Sequence, residues 1–459
     1  MQSPLKEKID SKKAAVSVIG LGYVGLPLAL NVARAGFKVY GIDVDSKKIS
    51  GLLNGRSHII DVTDAEVADA VASGRFIPTG DFDQLSGSDV VIICVPTPLR
   101  KSKDPDVSYI LSAVEEIKRR LHPHMLVILE STTYPGTSDE LIAAEFEKAG
   151  FTVGGDVHVC FSPERVDPGN KVYKTENTPK VIGGVTPACT ELGVAFYSHV
   201  ISEVVPVSSA RVAETVKLLE NTFRSVNIAL VNELALMCER MDIDIWEVID
   251  AAATKPFGFM PFYPGPGIGG HCIPLDPMYL SWKAKSFGFH NKFIELASDI
   301  NGNMPRHVVT KVAEALNLEG KPVRGAKILI LGMAYKKDIS DVRESPSLEL
   351  YKLLELQGAE VVYHDPYVKP FAEGPVQYRS VPLTAATLGE YDCVVLSTNH
   401  SCFDYDMIAR HARLIVDTRN AFKGNSAPHI IRLGTPTPTV AEWQARLGRV
   451  QVAAASDDE

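Results

Sequence analysis

The sequence predicts an α/β protein: two doubly wound, parallel-sheet units joined by a long central helix and a small helical domain. Three observations carry this. Short apolar runs alternate with helical stretches through the first ~200 residues, the pattern of strands linked by crossover helices. A second series starts near Lys321, and its phrase Gly358-Ala-Glu-Val-Val-Tyr-His-Asp365 repeats Gly36-Phe-Lys-Val-Tyr-Gly-Ile-Asp43 at the same spacing. Between them, apolar residues at 212, 216, 219, 223, 226, 230, 234 and 237 step by threes and fours, as on one helix face. The expected boundaries are 1–206, 207–320 with a cysteine loop, 321–445, and a flexible tail at 446–459.

The first strand, Val16-Ser-Val-Ile, runs into Gly20-Leu-Gly22-Tyr23-Val24-Gly25 and a helix from Leu26 to Ala35. In a G-x-G-x-x-G turn the first glycine makes the bend, the second admits a pyrophosphate and the third lets helix pack on strand. The anion rests on the helix N-terminus, where N–H groups and the dipole favour it. The next strand ends at Asp43, where a carboxylate binds the ribose hydroxyls of NAD and repels a 2′-phosphate. This is a Rossmann-like unit, with Gly20, Gly22, Tyr23, Val24, Gly25 and Asp43 as candidate cofactor contacts.

Further along, Asp89–Pro96, Met125–Glu130 and Val157–Phe161 read as buried strands, each ending in a polar turn that bears proline. Ligands of open α/β sheets lie beyond the carboxyl ends of the strands. Thr97, Thr132 and Glu164 are therefore candidate contacts to cofactor or substrate, although each residue type also suits a turn or helix cap.

The helix at 208–240 either joins domains or forms a dimer interface. Lys217 and Asn221 lie one turn apart on the same face of it; a lysine there is ordinarily solvated. Helical pattern resumes at Ile243–Ala253, Met278–Ala284 and Phe293–Leu316. Within this segment lies Tyr263-Pro-Gly-Pro-Gly-Ile-Gly-Gly-His-Cys272-Ile-Pro-Leu-Asp276-Pro277. Prolines and glycines exclude a regular element and let a ligand approach the main chain. A lone cysteine is by default a buried core residue, but this frame suits a nucleophile, with Asp276 four residues on. The last unit has strands at Lys327–Leu331 and Asp392–Thr398 and a helix from about Ser345, but no G-x-G-x-x-G. Its turn carries Lys336, Lys337 and Arg343 instead, which suits a nucleotide diphosphate held by charge.

At 459 residues, 45% hydrophobic and 22% charged, the chain has the composition of an ordinary globular protein. A net charge of −9 without a basic cluster argues against nucleic acid as the main partner. No apolar run suits a signal peptide or a membrane span. The seven cysteines are scattered and free of C-x-x-C, so neither disulfides nor a metal site is expected, and a reducing cytoplasm is the expected compartment.

A thiol beside a nicotinamide suggests aldehyde oxidation through a thiohemiacetal and a thioester, which water then cleaves. That chemistry needs a base and a cation near the developing oxyanion. The chain resembles the UDP-glucose/GDP-mannose dehydrogenase family along nearly its whole length. The matching stretches are GLGYVGLPLA, the helix Glu214-Thr-Val-Lys-Leu-Leu-Glu-Asn221, the loop Gly267–Pro277 and GMAYKKDISDVRESP at 332–346. The resemblance implies cytoplasmic enzymes that oxidise C6 of a nucleotide sugar with two NAD and one cysteine, and dimerise through the central helix. It implies Cys272 as nucleophile, Asp276 for base chemistry, and Lys217 with Asn221 for the oxyanion. Thr132 and Glu164 would hold the hydrolytic water next to the nicotinamide, and Thr97 would join Thr132 on NAD. Lys336 and Arg343, with backbone from Tyr263 through Gly267 to Gly269, would hold the UDP-sugar, which Glu164, Lys217 and Asn221 also touch.

UDP-glucose dehydrogenases carry lysine before the aspartate, in C-F-P-K-D; here that place is Leu275. This form, with Lys255-Pro-Phe-Gly-Phe-Met before the loop, is similar to the branch acting on UDP-N-acetylhexosamines. UDP-GlcNAc is the expected substrate, with UDP-GalNAc, UDP-ManNAc and UDP-glucose as alternatives and a surface polysaccharide as the destination. A two-electron dehydrogenase needing no cysteine, or a non-catalytic NAD sensor, are the remoter readings.

Overall fold

The computed structural model describes residues 3–59, 61–100, 104–165 and 172–445, so the tail expected at 446–459 lies outside the described residues. The chain divides into two units, one of residues 1–221 and 275–290, the other of 222–274 and 291–459.

The first unit is built on β1 (Ala15–Ile19), β2 (Lys38–Ile42), β3 (Phe76–Thr79), β4 (Val90–Ile93), β5 (Leu126–Leu129), β6 (His158–Phe161), β7 (Lys180–Gly184) and β8 (Val204–Pro206). They form one sheet in the order β3-β2-β1-β4-β5-β6-β7-β8. β4, β5 and β6 are buried at every position, because helices cover both faces of a parallel sheet. The chain reverses direction of growth between β1 and β4, which makes the crevice beyond their carboxyl ends the ligand site of such folds. One departure from the all-parallel expectation is β7, which runs antiparallel to β6. No helix lies between these strands among the described residues, and a parallel return requires a crossover element.

The second unit carries β9 (Lys327–Leu331), β10 (Glu360–His364), the small antiparallel pair β11 (Phe371–Glu373) and β12 (Val376–Tyr378), then β13 (Cys393–Leu396), β14 (Ile415–Asp417) and β15 (Ile430–Arg432). Its main sheet is parallel in the order β10-β9-β13-β14-β15. Strand alternation sends Ile328, Ile330, Cys393, Val395 and Val416 into one apolar core. Leu329, Leu331, Val394, Leu396 and Ile415 go to the other face. Two buried faces on one sheet are the doubly wound arrangement.

One helix, Ala210–Arg240, runs for 31 residues. Val212, Leu219, Phe223, Leu230 and Met237 of the apolar stripe are exposed. The inward face is mixed: Glu214, Lys217, Ser225 and Asn232 are buried beside Ala213, Leu218, Val231 and Ala235.

Candidate active site

The glycine turn after β1 is shaped by two different demands. Gly20 has φ +93°, and a Cβ there would lie 2.5 Å from the Cys94 carbonyl oxygen; one on Gly25 would lie 1.8 Å from that of Gly20. Those two glycines are required by packing. A Cβ on Gly22 would meet nothing within 4 Å, so no protein contact explains its missing side chain. That open space fits the approach of a pyrophosphate to the backbone, and no acid stands in the first turn of the helix Gly25–Arg34 to repel it. Tyr23 is exposed and Val24 half-buried at the rim of the turn. Asp43 accepts from Leu21 N–H at 2.9 Å and from Lys48 Nζ at 3.3 Å. Burial acts to raise its pKa, but N–H donation from Asp45 and Leu21 together with Lys48 holds it below the usual carboxylate range. It stays ionised. Replacing Gly22 by alanine is therefore expected to leave the thermal midpoint unchanged and weaken NAD binding by at least about tenfold, 1.4 kcal/mol. Fluorescence titration with NADH checks this, and a midpoint that falls with unchanged affinity would reject the assignment.

Beyond the carboxyl ends of β4, β5 and β6, the first unit gathers a connected polar set. Lys217 is buried, not solvated, and its Nζ donates to Thr132 Oγ1 at 2.6 Å. One turn on, Asn221 Nδ2 donates to Asp276 Oδ2 at 2.6 Å. Asp276 begins the helix Asp276–Lys285 and is 1% exposed. Burial pushes its carboxyl up to about 6, against the opposing pull of Lys217 and Asn221. Tyr279, on the same helix, donates its hydroxyl to the Thr97 carbonyl at 2.7 Å, tying the turn after β4 to this set. Glu164, whose side chain is 9% exposed, lies 3.9 Å from Lys180 Nζ. A carboxylate near neutrality, an ammonium and two hydroxyl- or amide-bearing partners can handle protons and developing negative charge.

Sequence reasoning passed over Glu214. Its carboxylate accepts from Gly136 N–H at 2.6 Å and from Ser138 N–H and Oγ at 2.9 and 2.8 Å, fastening the turn after Thr132 to the long helix. Burial raises its pKa to about 7. Nothing in the spacing of the run Glu214–Asn221 distinguishes a buried acid from a solvated one.

In the second unit the Pro-Gly loop lies directly on the turn that follows β9. Gly270 N–H donates to the Arg343 carbonyl at 2.9 Å. A Cβ on Gly269 would come within 2.5 Å of Tyr335 Cβ, and one on Gly267 within 3.2 Å of Pro346. Asn232, buried on the long helix, accepts from Gly265 N–H at 3.0 Å and donates to Asn301 Oδ1 at 2.9 Å. Tyr263 stacks on Trp246 at 5.9 Å and donates to Asp250, so its side chain anchors the start of the loop. Cys272 is half-buried at the loop's end, whereas Cys94, Cys160, Cys189, Cys238 and Cys393 are buried in core.

The repeated aspartate serves another purpose in this unit. Asp365 Oδ2 accepts from Met333 and Ala334 N–H at 2.7 and 2.9 Å and pairs with His400 Nε2 at 3.0 Å. Its Oδ1 accepts from Tyr367 and Val368 N–H. Both oxygens are committed to the protein, and none is presented to a ribose. The turn they hold carries Lys336, and Arg343 is paired with Asp341 at 2.6 Å with its side chain 47% exposed. A second missed residue, Arg419, packs its guanidinium 2.6 Å from where a Gly265 Cβ would be and donates Nε to the Ser397 carbonyl at 2.8 Å. Burial lowers its pKa to about 10. The sequence signal was available: an arginine two residues after β14, at the ligand edge of a parallel sheet.

Comparison with known proteins now decides the family. Models of the UDP-glucose/GDP-mannose dehydrogenase family match in chain order: the NAD binding domain at 14–201, the central domain at 211–303 and the UDP binding domain at 329–424. The chain belongs to the UDP-glucose/GDP-mannose dehydrogenase family. It is 36% identical over 395 residues to UDP-N-acetyl-D-glucosamine 6-dehydrogenase of Pseudomonas aeruginosa, covering 85% of this chain and 92% of that one. An NDP-N-acetyl-D-galactosaminuronic acid dehydrogenase of Ralstonia nicotianae is 34% identical over 423 residues, 90% of this chain and 97% of that one. The solved structure of UDP-D-ManNAc dehydrogenase from Pyrococcus horikoshii superposes with a TM-score of 0.84 at 33% identity, covering 92% and 99% of the two chains.

As a member of the UDP-glucose/GDP-mannose dehydrogenase family the protein is an NAD-dependent nucleotide-sugar dehydrogenase. Family membership accounts for the two uses of one phrase: Asp43 lies in the NAD binding domain, Asp365 in the UDP binding domain. No helix among the described residues is long and apolar enough to cross a membrane.

Proposed function

We propose that the enzyme oxidises C6 of a UDP-N-acetylhexosamine, foremost UDP-GlcNAc, from alcohol to carboxylate through a thiohemiacetal and a thioester on Cys272. Bound NAD supplies the electron acceptor for each of the two oxidations. The pairing of Lys217 with Thr132 and of Asn221 with a near-neutral Asp276 carries this reading. In the proposed reaction the Cys272 thiolate adds to the C6 aldehyde, and the Lys217 ammonium with the Asn221 amide holds the oxyanion. Asp276 takes a proton from the water that cleaves the thioester, while Thr132 and Glu164 hold that water. Lys336, Arg343 and Arg419 supply positive charge for the diphosphate, with the backbone of Gly265–Gly270 beside it.

The N-acetylhexosamine preference rests on Leu275 in place of lysine and on relatives named for N-acetylated sugars. Measuring kcat/KM for NAD reduction with UDP-GlcNAc, UDP-GalNAc, UDP-ManNAc and UDP-glucose tests it. UDP-GlcNAc is expected to lead; a UDP-glucose lead would reject the branch, and no turnover with any would reject the reaction.

We further propose a homodimer or a larger homo-oligomer in a reducing cytoplasm. Leu219, Phe223, Leu230 and Met237 leave 45–62% of their surface exposed along one helix face, an apolar stripe that a second copy would cover. The compartment is proposed from the seven scattered cysteines, which form no C-x-x-C pair. Leu219→Glu with Leu230→Glu is expected to halve the mass seen by light scattering without lowering secondary structure. A monomeric parent protein at micromolar concentration would defeat this.

A further inference from the structure

Behind the polar set lies an ion cluster that the reaction above leaves without a task. Lys180 begins β7 and is 5% exposed; its Nζ lies 3.0 and 3.1 Å from the two carboxylate oxygens of Glu130. Glu130 directly follows β5, two residues before Thr132, and its side chain is fully buried. Tyr197 donates its hydroxyl to the same carboxylate, and its ring lies 5.0 Å from the ammonium. Lys180 is also 3.9 Å from Glu164 Oε2. An ammonium in so dry a place requires its carboxylates, and a buried pair is an inefficient device for stability alone.

We propose that Lys180, gripped by Glu130, is a positioning residue that holds Glu164 as an oriented anion at the site. The inference rests on the role for Glu164 given above. Geometry gives it a direction. Lys180 divides its charge between two carboxylates, so weakening its hold on one strengthens its hold on the other. The other groups facing this cluster are Cys94 just after β4, the Tyr197 phenol, and Lys217 on the long helix. Arg165, next in the chain, is turned to Glu220 at 2.7 Å. Lys180 thus links the buried Glu130 carboxylate to the Glu164 side chain.

The test is kcat for NADH formation in the full-length enzyme, read in a double-mutant cycle. Lys180→Met is expected to lower kcat by about 10–10²-fold, the scale of a misplaced active-site group, with KM for the UDP-sugar near the parent value. Lys180→Arg keeps the charge and is expected to restore most of the loss. In a Glu164→Gln background, Lys180→Met is expected to add no further loss of kcat. An equal loss of kcat from Lys180→Met with and without Glu164, or no loss at all, overturns the proposal. If Lys180→Met does not fold, Lys180→Gln carries the same cycle. Parent enzyme that turns over no UDP-sugar would instead overturn the reading of the reaction.

Discussion

Cys272→Ser is expected to lower steady-state uronate formation by at least about 10³-fold, the scale of losing a covalent nucleophile, while NAD affinity stays at the parent value. Serine keeps the size and the half-buried place of the side chain. It lacks the thiolate, and an ordinary hydroxyl is a weak nucleophile without an adjacent base. The six other cysteines do not replace it: five are buried in core and Cys402 is exposed in the second sheet unit. The two-electron alternative makes the opposite prediction, since simple alcohol oxidation needs no thiol. NADH yield per UDP-sugar separates them: two equivalents are expected from the parent enzyme. Parent-like turnover in the serine variant would eliminate the thioester route.

The glycine turn was legible because each of its features is a local demand: a bend, a close approach, a packed helix, then an acid one strand later. The strand ends bearing Thr97, Thr132 and Glu164 were legible for a related reason, since a buried parallel strand is an uninterrupted apolar run that stops where the ligand edge begins. The long helix was legible in extent, and its apolar stripe reads as a domain joint or a dimer face. Which of its polar residues turn inward is not visible in that period. In this fold Glu214, Lys217 and Asn232 go inward because β-strand ends and the Pro-Gly loop supply partners for them. The repeated Gly-to-Asp phrase was read correctly as a repeated strand, but not in its consequence. Only the structure sets His400 and four backbone N–H groups around Asp365. The Glu130–Lys180 pair had no signal at all, because its partners are 50 residues apart and β7 runs against the expected direction.

Asp276→Asn is expected to abolish most activity and yet make the protein more stable at alkaline pH. The carboxyl's pKa is about 6 in the folded chain against an ordinary 3.8, because burial disfavours its charge more than Lys217 and Asn221 favour it. Below pH about 4 the group is protonated both folded and unfolded, and the penalty is absent. Between there and pH about 6 the unfolded chain ionises first, so stability falls as pH rises. Above that range both states are ionised, and the folded one carries the whole difference. The difference between 3.8 and about 6 corresponds to about 3 kcal/mol. Asparagine has nearly the same shape and still offers an oxygen to Asn221 Nδ2, but it has no charge to bury. The variant should therefore unfold at a higher temperature than the parent at pH 8, with the gap closing toward pH 4, as followed by circular dichroism. Loss of a base acting on water is expected to lower kcat by about 10²–10⁴-fold. A variant less stable than the parent at pH 8 would mean that the charge of Asp276 is held by compensating contacts, and not kept under strain for catalysis.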